Sequence, residues 1–376
     1  MNGPLTGTLV LDLSQGIAGP YCGMLLAEMG ARVVKVEPPT GDWMRSLGRG
    51  VDGASASFLY YNRGKEGIAL DLDETRGQDA ARTLAARADV LIENMRPGSL
   101  AKRGLGYDDM AALNPSLVYL SISGFGLSGP KAARPMTDTF GQAFSGLMHV
   151  NRAPDGTPVK IGTTLVDAFT GLYAAQAVMR ALWPGGGERR GQHLDVSLVQ
   201  SVAAAQGPKI LDHALADEPA PLLNAPAGVY ATKDGWLALT IVNERQWQAL
   251  CRVLGLGDLA GDPRMQSFEG RGAHIDILHP AVAGALAAEP TGHWEDALTE
   301  ASVMACGIND YGDWLADPQV QAIEAAPEGR IAGRALPLAR TPGQPLFEAP
   351  PPAIGEHGAA LAAEFGLDPS EPETST

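Results

Sequence analysis

Asp167 is the side chain whose setting in the sequence most invites chemistry. It stands in the first turn of a stretch running from Gly162 to Leu182. Leu165, Phe169, Leu172, Ala175, Val178, Met179 and Leu182 recur there at intervals of three and four, which predicts a helix. The segment is otherwise small and apolar, so one carboxylate at its start has two readings. It can stabilise its own helix through the dipole and the free N–H groups of the first turn. It can also be a nucleophile or base at the mouth of an apolar helix, where a carboxylate is able to form a covalent intermediate.

Other reactive residue types are sparse. The three cysteines, Cys22, Cys251 and Cys306, lie far apart with no CxxC pair, and the histidines show no metal-ligand spacing. No metal is expected. Gly16, Gly19 and Gly23 miss the G-x-G-x-x-G spacing, so NAD is not expected either. The small residues at 16, 18 and 19 still admit a ligand to backbone at a helix N-terminus. Two further places suit an anionic or extended ligand. One is Asn94-Met-Arg-Pro-Gly98 with Lys102 and Arg103 close behind; the other is the glycine-rich run Gly124 to Pro130.

The elements that must position these residues follow from hydrophobic pattern. Leu9 to Leu13 reads as a buried strand, Ser14 to Pro20 as a turn, Tyr21 to Met29 as a helix and Arg32 to Glu37 as a second strand. Residues 38–66 read as loop-rich and carry Arg45, Arg49, Arg63 and Lys65, and a long irregular segment is more often functional than idle. Strands at 67–72, 89–94, 117–123 and 193–197 alternate with helices at 75–88, 138–148, 162–182 and 198–215. That alternation predicts an α/β fold, a doubly wound large domain with parallel strands. Beyond residue 228 a hairpin about Lys233-Asp-Gly235 and helices at 244–254, 272–288 and 292–301 predict a smaller α+β domain. The expected domains are 1–215 with 326–376, a linker at 216–227, and 228–325, with a disordered tail from Pro369.

A chain of 376 residues with 28 Lys and Arg against 43 Asp and Glu carries a formal charge of −15. This argues against nucleic-acid binding and against an anionic membrane surface. No apolar run reaches spanning length and no signal peptide is seen, so with its unpaired thiols the chain is expected in the cytoplasm.

Taken in order, many stretches resemble the family III coenzyme A-transferases, the group with formyl-CoA and carnitine-type CoA transferases and α-methylacyl-CoA racemase. They are Val10-Leu-Asp-Leu-Ser14 with Ala18-Gly-Pro20, Gly30 to Glu37, Asn62 to Lys65 with Ile68 to Leu72, and Ala88 to Asn94 with Arg96-Pro-Gly98. Gly104 to Tyr107, Ser121 to Gly126, Gln142 to Gly146, Asp167 with Thr170-Gly171, and Gly191 to Ser197 continue the series. The resemblance implies a Rossmann-like domain that binds coenzyme A, an interlocked homodimer, and substrates that are an acyl-CoA and a carboxylic acid. It places the family's catalytic aspartate on Asp167. It places the cofactor-binding positions on Gln15, Gly16, Ile17, Ala18, Leu70, Asn94, Met95 and Lys102, with Arg103 beside them able to pair with phosphate. Asp138 falls where transferases often carry an acidic residue able to modulate the nucleophile, although it or Thr137 also reads as the cap of its own helix. Gln142, Met148, His149, Tyr173 and His193 are candidate walls of the site.

The sequence departs from that pattern in places. Pro38 and Asp73 stand where some members carry a basic residue, and only Asn224-Ala-Pro-Ala-Gly228 stands where some carry a glycine-rich loop. Met136-Thr-Asp138 has Thr137 where the racemase branch has histidine, and a threonine cannot serve as a base near neutral pH. A CoA-transferase is therefore the expected activity. An acyl-CoA isomerase using Asp167, or a CoA-binding protein without turnover, are the alternatives.

Overall fold

The computed structural model describes residues 3–153, 155–183, 190–215 and 224–367. Of the expected linker, residues 216–223 lie outside the described residues, as does the expected disordered tail from 369. The chain divides into two compact units. One holds residues up to Gly207 and those from Pro327 onward; the other runs from Pro208 to Ala326.

The larger unit is built on six strands: β1 (Leu9–Asp12), β2 (Arg32–Glu37), β3 (Lys65–Ala69), β4 (Val90–Glu93), β5 (Val118–Ser123) and β6 (Gln192–Ser197). All pair in parallel, in the order β3-β2-β1-β4-β5-β6. The strands are nearly continuous apolar runs because both faces are covered. Val10, Val33, Val90, Ile92, Val118, Leu120 and Leu194 point into one layer, while Leu11, Val34, Val36, Leu91 and Tyr119 point into the other. The first layer is closed by helices α1 (Ala18–Glu28) and, later in the chain, Leu165–Leu182. The second is closed by helices Thr75–Ala85, Tyr107–Leu113 and Gly358–Phe365. Strand order across the sheet reverses between β1 and β4, and the carboxyl ends at such a switch point are where open α/β sheets receive ligands.

Several local expectations differ from the structure: the first helix already begins at Ala18, within the expected turn, and the helix expected over 272–288 is divided at His274 into Phe268–Ala273 and Ile275–Leu286. The loop-rich segment contains a capped turn at Trp43–Ser46 and a helix, α2 (Ala56–Tyr61), whose starts are fixed by Asp42 and Ser55 accepting N–H groups from Met44 and Phe58. The helix at 138 stops at Phe144, and Gly146 takes a left-handed φ of 83° before a short turn at Leu147–Val150. The helix expected over 198–215 breaks at Gln206 into Leu198–Ala205 and Gly207–Leu215, because Pro208 lacks an N–H and cannot continue the first ladder.

The smaller unit carries an antiparallel sheet of β7 (Gly228–Ala231), β8 (Trp236–Thr240) and β9 (Met304–Gly307), with β8 central. Its core is Tyr230, Leu237 and Leu239 packed on Trp247, Leu250, Leu278, Val282 and Leu298 from three helices. The fully buried Arg271 is paired with Glu244 at 2.7 Å and bonded to the carbonyls of Met265 and Ala225. Among the described residues no helix is long and apolar enough to cross a membrane.

Candidate active site

The site grows from the start of the helix Leu165–Leu182. Thr164 occupies its cap position, yet its side chain caps nothing. A residue from another helix supplies the cap. Asp138, the buried first residue of the helix Asp138–Phe144, accepts the backbone N–H of Val166 at 2.7 Å and that of Asp167 at 3.3 Å through one carboxylate oxygen. Its other oxygen accepts from the Gln142 amide at 2.6 Å. Gln142, also buried, accepts the N–H of Ile161 at 2.9 Å and donates toward the Thr163 carbonyl at 3.3 Å. One turn of a neighbouring helix thus holds both the chain entering the Asp167 helix and that helix's first amides.

Asp167 itself is half-buried. Burial, and secondarily the like charge of Asp138, raise its pKa from 3.8 to about 7. A carboxyl group in such surroundings loses the hydration that would blunt it as a nucleophile. Four residues on, Gly171 meets α1: a Cβ there would stand 2.9 Å from the Ala18 carbonyl oxygen and 2.9 Å from the Tyr21 ring. The missing side chain lets the two helices touch where α1 begins, bringing the Ser14–Ala18 turn beside the helix that bears Asp167. Tyr61 belongs to the same neighbourhood and was not singled out by sequence. Its ring packs on Tyr21 with centroids 5.1 Å apart. Its phenol pKa is raised by burial first and then by Tyr60, with Asp167 and Asp138 also contributing. The only trace of it in the sequence is a Tyr60–Tyr61 pair within an otherwise loop-like segment.

The turn after β1 is held almost atom by atom. Asp12 accepts the Ser14 N–H at 3.0 Å, and the Lys35 ammonium donates to the Ser14 carbonyl at 2.8 Å. Asn94, at the end of β4, accepts the Gln15 N–H at 2.9 Å and donates to the Gln15 carbonyl at 2.6 Å. Asp42 accepts the Gly16 N–H at 3.2 Å. Gly16 has a φ of 82°, and a Cβ on it would lie 2.8 Å from the Trp43 ring. Loops leaving β1 and β4, on either side of the switch point, are therefore latched together by Asn94. The amides of Gln15 and Gly16 are already spoken for, whereas those of Ile17, Ala18 and Gly19 have no partner among the described residues.

The remaining sequence candidates separate by environment. Leu70 is buried in the core with Val34, Val36 and Ile68, and Met95 packs partly against the same layer. Lys102 is exposed, its backbone N–H bonded to the Gly98 carbonyl and its ammonium without a partner among the described residues. Arg103, next to it, is not free in that way. It pairs with Asp73, donates to the Leu72 carbonyl at 3.1 Å, and bonds the Ser99 carbonyl at 3.0 Å and hydroxyl at 2.7 Å. Arg103 thus ties the segment after β3 to the segment after β4, and the acidic Asp73 is its counterion. His193 points to the opposite sheet face from Leu194, stacks on Tyr107 at 4.6 Å and bonds Ser121 at 2.9 Å. That is the sheet face away from the Asp167 helix. His149 is exposed and bonded by Arg152 at 2.5 Å. Tyr173 and Met148 are half-buried. A shallow, mainly apolar cleft of about 560 Å³, lined by Thr240, Val303, Met304 and Cys306 among others, belongs to the smaller unit.

Comparison with known proteins gives this arrangement a context. The model of CoA-transferase family III matches residues 5–358. A succinate–glutarate CoA-transferase of Agrobacterium fabrum is 36% identical, with 96% of each chain covered. An acetyl-CoA:oxalate CoA-transferase of Acetobacter aceti is 35% identical, also over 96% of each. The crystal structure of a CAIB/BAIF family protein from Brucella suis superposes with a TM-score of 0.86 at 34% identity, covering 97% of this chain and 100% of that one.

Proposed function

We propose that this chain, which belongs to CoA-transferase family III and is an acyl-CoA:carboxylate CoA-transferase, carries the transferred group on Asp167. The observation that carries the proposal is a desolvated carboxylate at a helix start packed, through Gly171, against the turn that begins α1.

The chemistry runs in balanced exchanges. A carboxylate oxygen of Asp167 attacks the thioester carbonyl of the donor acyl-CoA. The C–S bond breaks, CoA leaves as thiolate, and a mixed anhydride remains. The thiolate attacks the Asp167 carbonyl carbon and expels the donor acid as its carboxylate, leaving an aspartyl-CoA thioester. The acceptor carboxylate then attacks that thioester and regenerates thiolate. Thiolate attack on the acceptor's carbonyl of the second anhydride releases the new acyl-CoA and the free Asp167 carboxylate. No proton is gained or lost, so the site needs a nucleophile and oxyanion donors but no acid–base pair. Because Asp138 already takes the amides of Val166 and Asp167, oxyanion donors come from elsewhere. The Ile17–Gly19 amides, without partners at the start of the helix that Gly171 packs against, are that source.

Coenzyme A lies at the switch point between the loops after β1 and β4, against Gln15 to Ala18, Asn94 and Met95, with Lys102 reaching a phosphate. Arg103 supports Lys102's segment rather than binding phosphate. The relatives whose names specify succinate, glutarate and oxalate support a short dicarboxylic acid as acceptor, and their names pair it with a short acyl group, succinyl or acetyl. The working form is an interlocked homodimer, supported by exposed apolar side chains such as Phe140, Phe144 and Leu172 on the two helices at the site. A cytoplasmic setting is supported by three free thiols, two of them buried.

The test is hydroxylamine trapping. Incubation with succinyl-CoA and then hydroxylamine places a hydroxamate on the peptide containing Asp167, read by mass spectrometry. An active Asp167→Ala variant, or a label on another residue, sinks the proposal.

A further inference from the structure

Against the turn after β1 lie charges that have no contact with solvent. Lys35 and Asp42 are fully buried, with ammonium and carboxylate 3.1 Å apart. Asp12 and Lys65 form a second buried pair at 2.8 Å, and Lys65 also bonds the Pro20 carbonyl and Asn62, each at 2.9 Å. Both charges of the first pair end on the same short backbone turn. Lys35 holds the Ser14 carbonyl at 2.8 Å, and Asp42 holds the Gly16 N–H at 3.2 Å while capping the Trp43–Ser46 turn through the Met44 N–H at 2.9 Å. Asp42 is in turn anchored by its own N–H to Glu37 at 2.8 Å, and Glu37 is gripped by Arg45 at 2.6 Å.

Burying a lysine and an aspartate removes both from water, and an apolar pair of similar volume is often as stable or more so. Stability alone does not account for placing such a pair here. Geometry does, because each partner also holds one polar group of the Ser14–Gly16 backbone, Lys35 the Ser14 carbonyl and Asp42 the Gly16 N–H. We propose that the Lys35–Asp42 pair is a positioning device for the acyl-CoA-binding turn. It fixes Gln15, Gly16 and the following amides in the shape the cofactor meets, and it acts on affinity rather than on fold stability. Neither residue touches the ligand. The inference rests on the reading above that this turn contacts coenzyme A.

The experiment replaces both charges at once with Lys35→Met/Asp42→Leu in the full-length chain. Calorimetry with coenzyme A is expected to show Kd raised at least tenfold, the thermal midpoint held within a few degrees, and faster hydrogen exchange in residues 13–20 of the unliganded variant. An unchanged Kd overturns the inference. Should the double variant not fold, Asp42→Asn keeps the volume and the acceptor for Gly16 but strips Lys35 of its counter-charge. A threefold or greater rise in the KM for acyl-CoA with kcat preserved is then expected, and an unchanged KM overturns the inference. Hydrogen exchange of the wild-type chain with and without coenzyme A separates the two layers. Protection of residues 13–20 combined with unaltered affinity in the variants defeats only the positioning role. Absence of that protection defeats the reading of the turn as a cofactor site, and the inference with it.

Discussion

Asp138 caps the helix of Asp167 from outside: one of its oxygens receives the backbone N–H groups of Val166 and Asp167, residues 28 and 29 positions further along the chain. The same carboxylate therefore does two opposed things. It stabilises the helix start by satisfying two orphan donors, and it raises the pKa of the Asp167 side chain through like charge. Replacing it by asparagine keeps an acceptor oxygen but removes the charge. Asp138→Asn is expected to move the acid-side inflection of kcat/KM to lower pH, by less than the whole displacement because burial is the larger cause. Asp138→Ala should in addition cost about 1 kcal/mol of stability, the usual worth of a lost cap. The pH–rate profile and a urea melt check both; an inflection that stays in place in Asp138→Asn removes Asp138 from the account of Asp167's acidity.

The raised pKa of Asp167 makes two pH dependences run in opposite directions. Attack needs the ionised form, so kcat/KM for acyl-CoA should climb through about pH 7 and level off above it. Stability should do the reverse. Between the ordinary value of 3.8 and about 7 the folded chain keeps a proton that the unfolded chain has lost, so this residue's contribution declines as pH rises across that window and is constant above it. Asp167→Asn abolishes the term. Relative to wild type at pH 4, the variant should gain on the order of 1–3 kcal/mol by pH 8. Denaturation at the two pH values decides it, and an equal difference at both would falsify the assignment.

At Gly171 the nucleophile's helix packs directly on α1, with no room for a methyl beside the Ala18 carbonyl. Gly171→Ala must push these elements apart by several tenths of an ångström. The expected result is a loss of kcat of about tenfold or more, since small displacements of reacting groups are costly, together with about 1–3 kcal/mol of overpacking strain. Steady-state kinetics beside a thermal melt give the answer. A variant as fast as wild type shows that the α1–Asp167 spacing does not matter to turnover.

Lys102 and Arg103 are adjacent and alike in charge but differ in surroundings, and their substitutions should separate. Lys102→Ala should raise the KM for acyl-CoA, most at low ionic strength, and leave the melting temperature unchanged. Arg103→Ala should lower stability by about 1 kcal/mol through its lost bonds to Leu72 and Ser99, with a smaller effect on KM. The reverse pattern, with Arg103 governing KM, would return phosphate binding to the arginine.

Quaternary structure is testable by sedimentation. A dimer is expected, and Phe140→Asp/Phe144→Asp, which charges two exposed aromatic side chains, should shift it toward monomer and lower activity with it. A wild-type chain that sediments as a monomer at micromolar concentration discards the interlocked assembly.

Much of this molecule was legible from order and period alone. The strand Arg32–Glu37 and the helix Glu244–Leu254 stand where apolar pattern and flanking turn residues put them, because a doubly covered strand is mainly apolar and a helix packed on one side is apolar at three- and four-residue intervals. Asp167 was legible as the one carboxylate at the start of an apolar helix, and the order of short motifs around it marked the family. Tertiary structure decided what those groups do to one another. The cap of the Asp167 helix comes from Asp138, Gln15 is latched by Asn94, and Arg103 is absorbed by Asp73, in each case by a partner dozens of residues away. His193 reads as a site residue in the chain, yet strand alternation turns it to the other face of the sheet. Periodicity is a local property set by backbone geometry and solvent, so sequence carries it. Hydrogen-bond partnership and desolvation depend on which surfaces meet after the sheet assembles, and no local pattern encodes that.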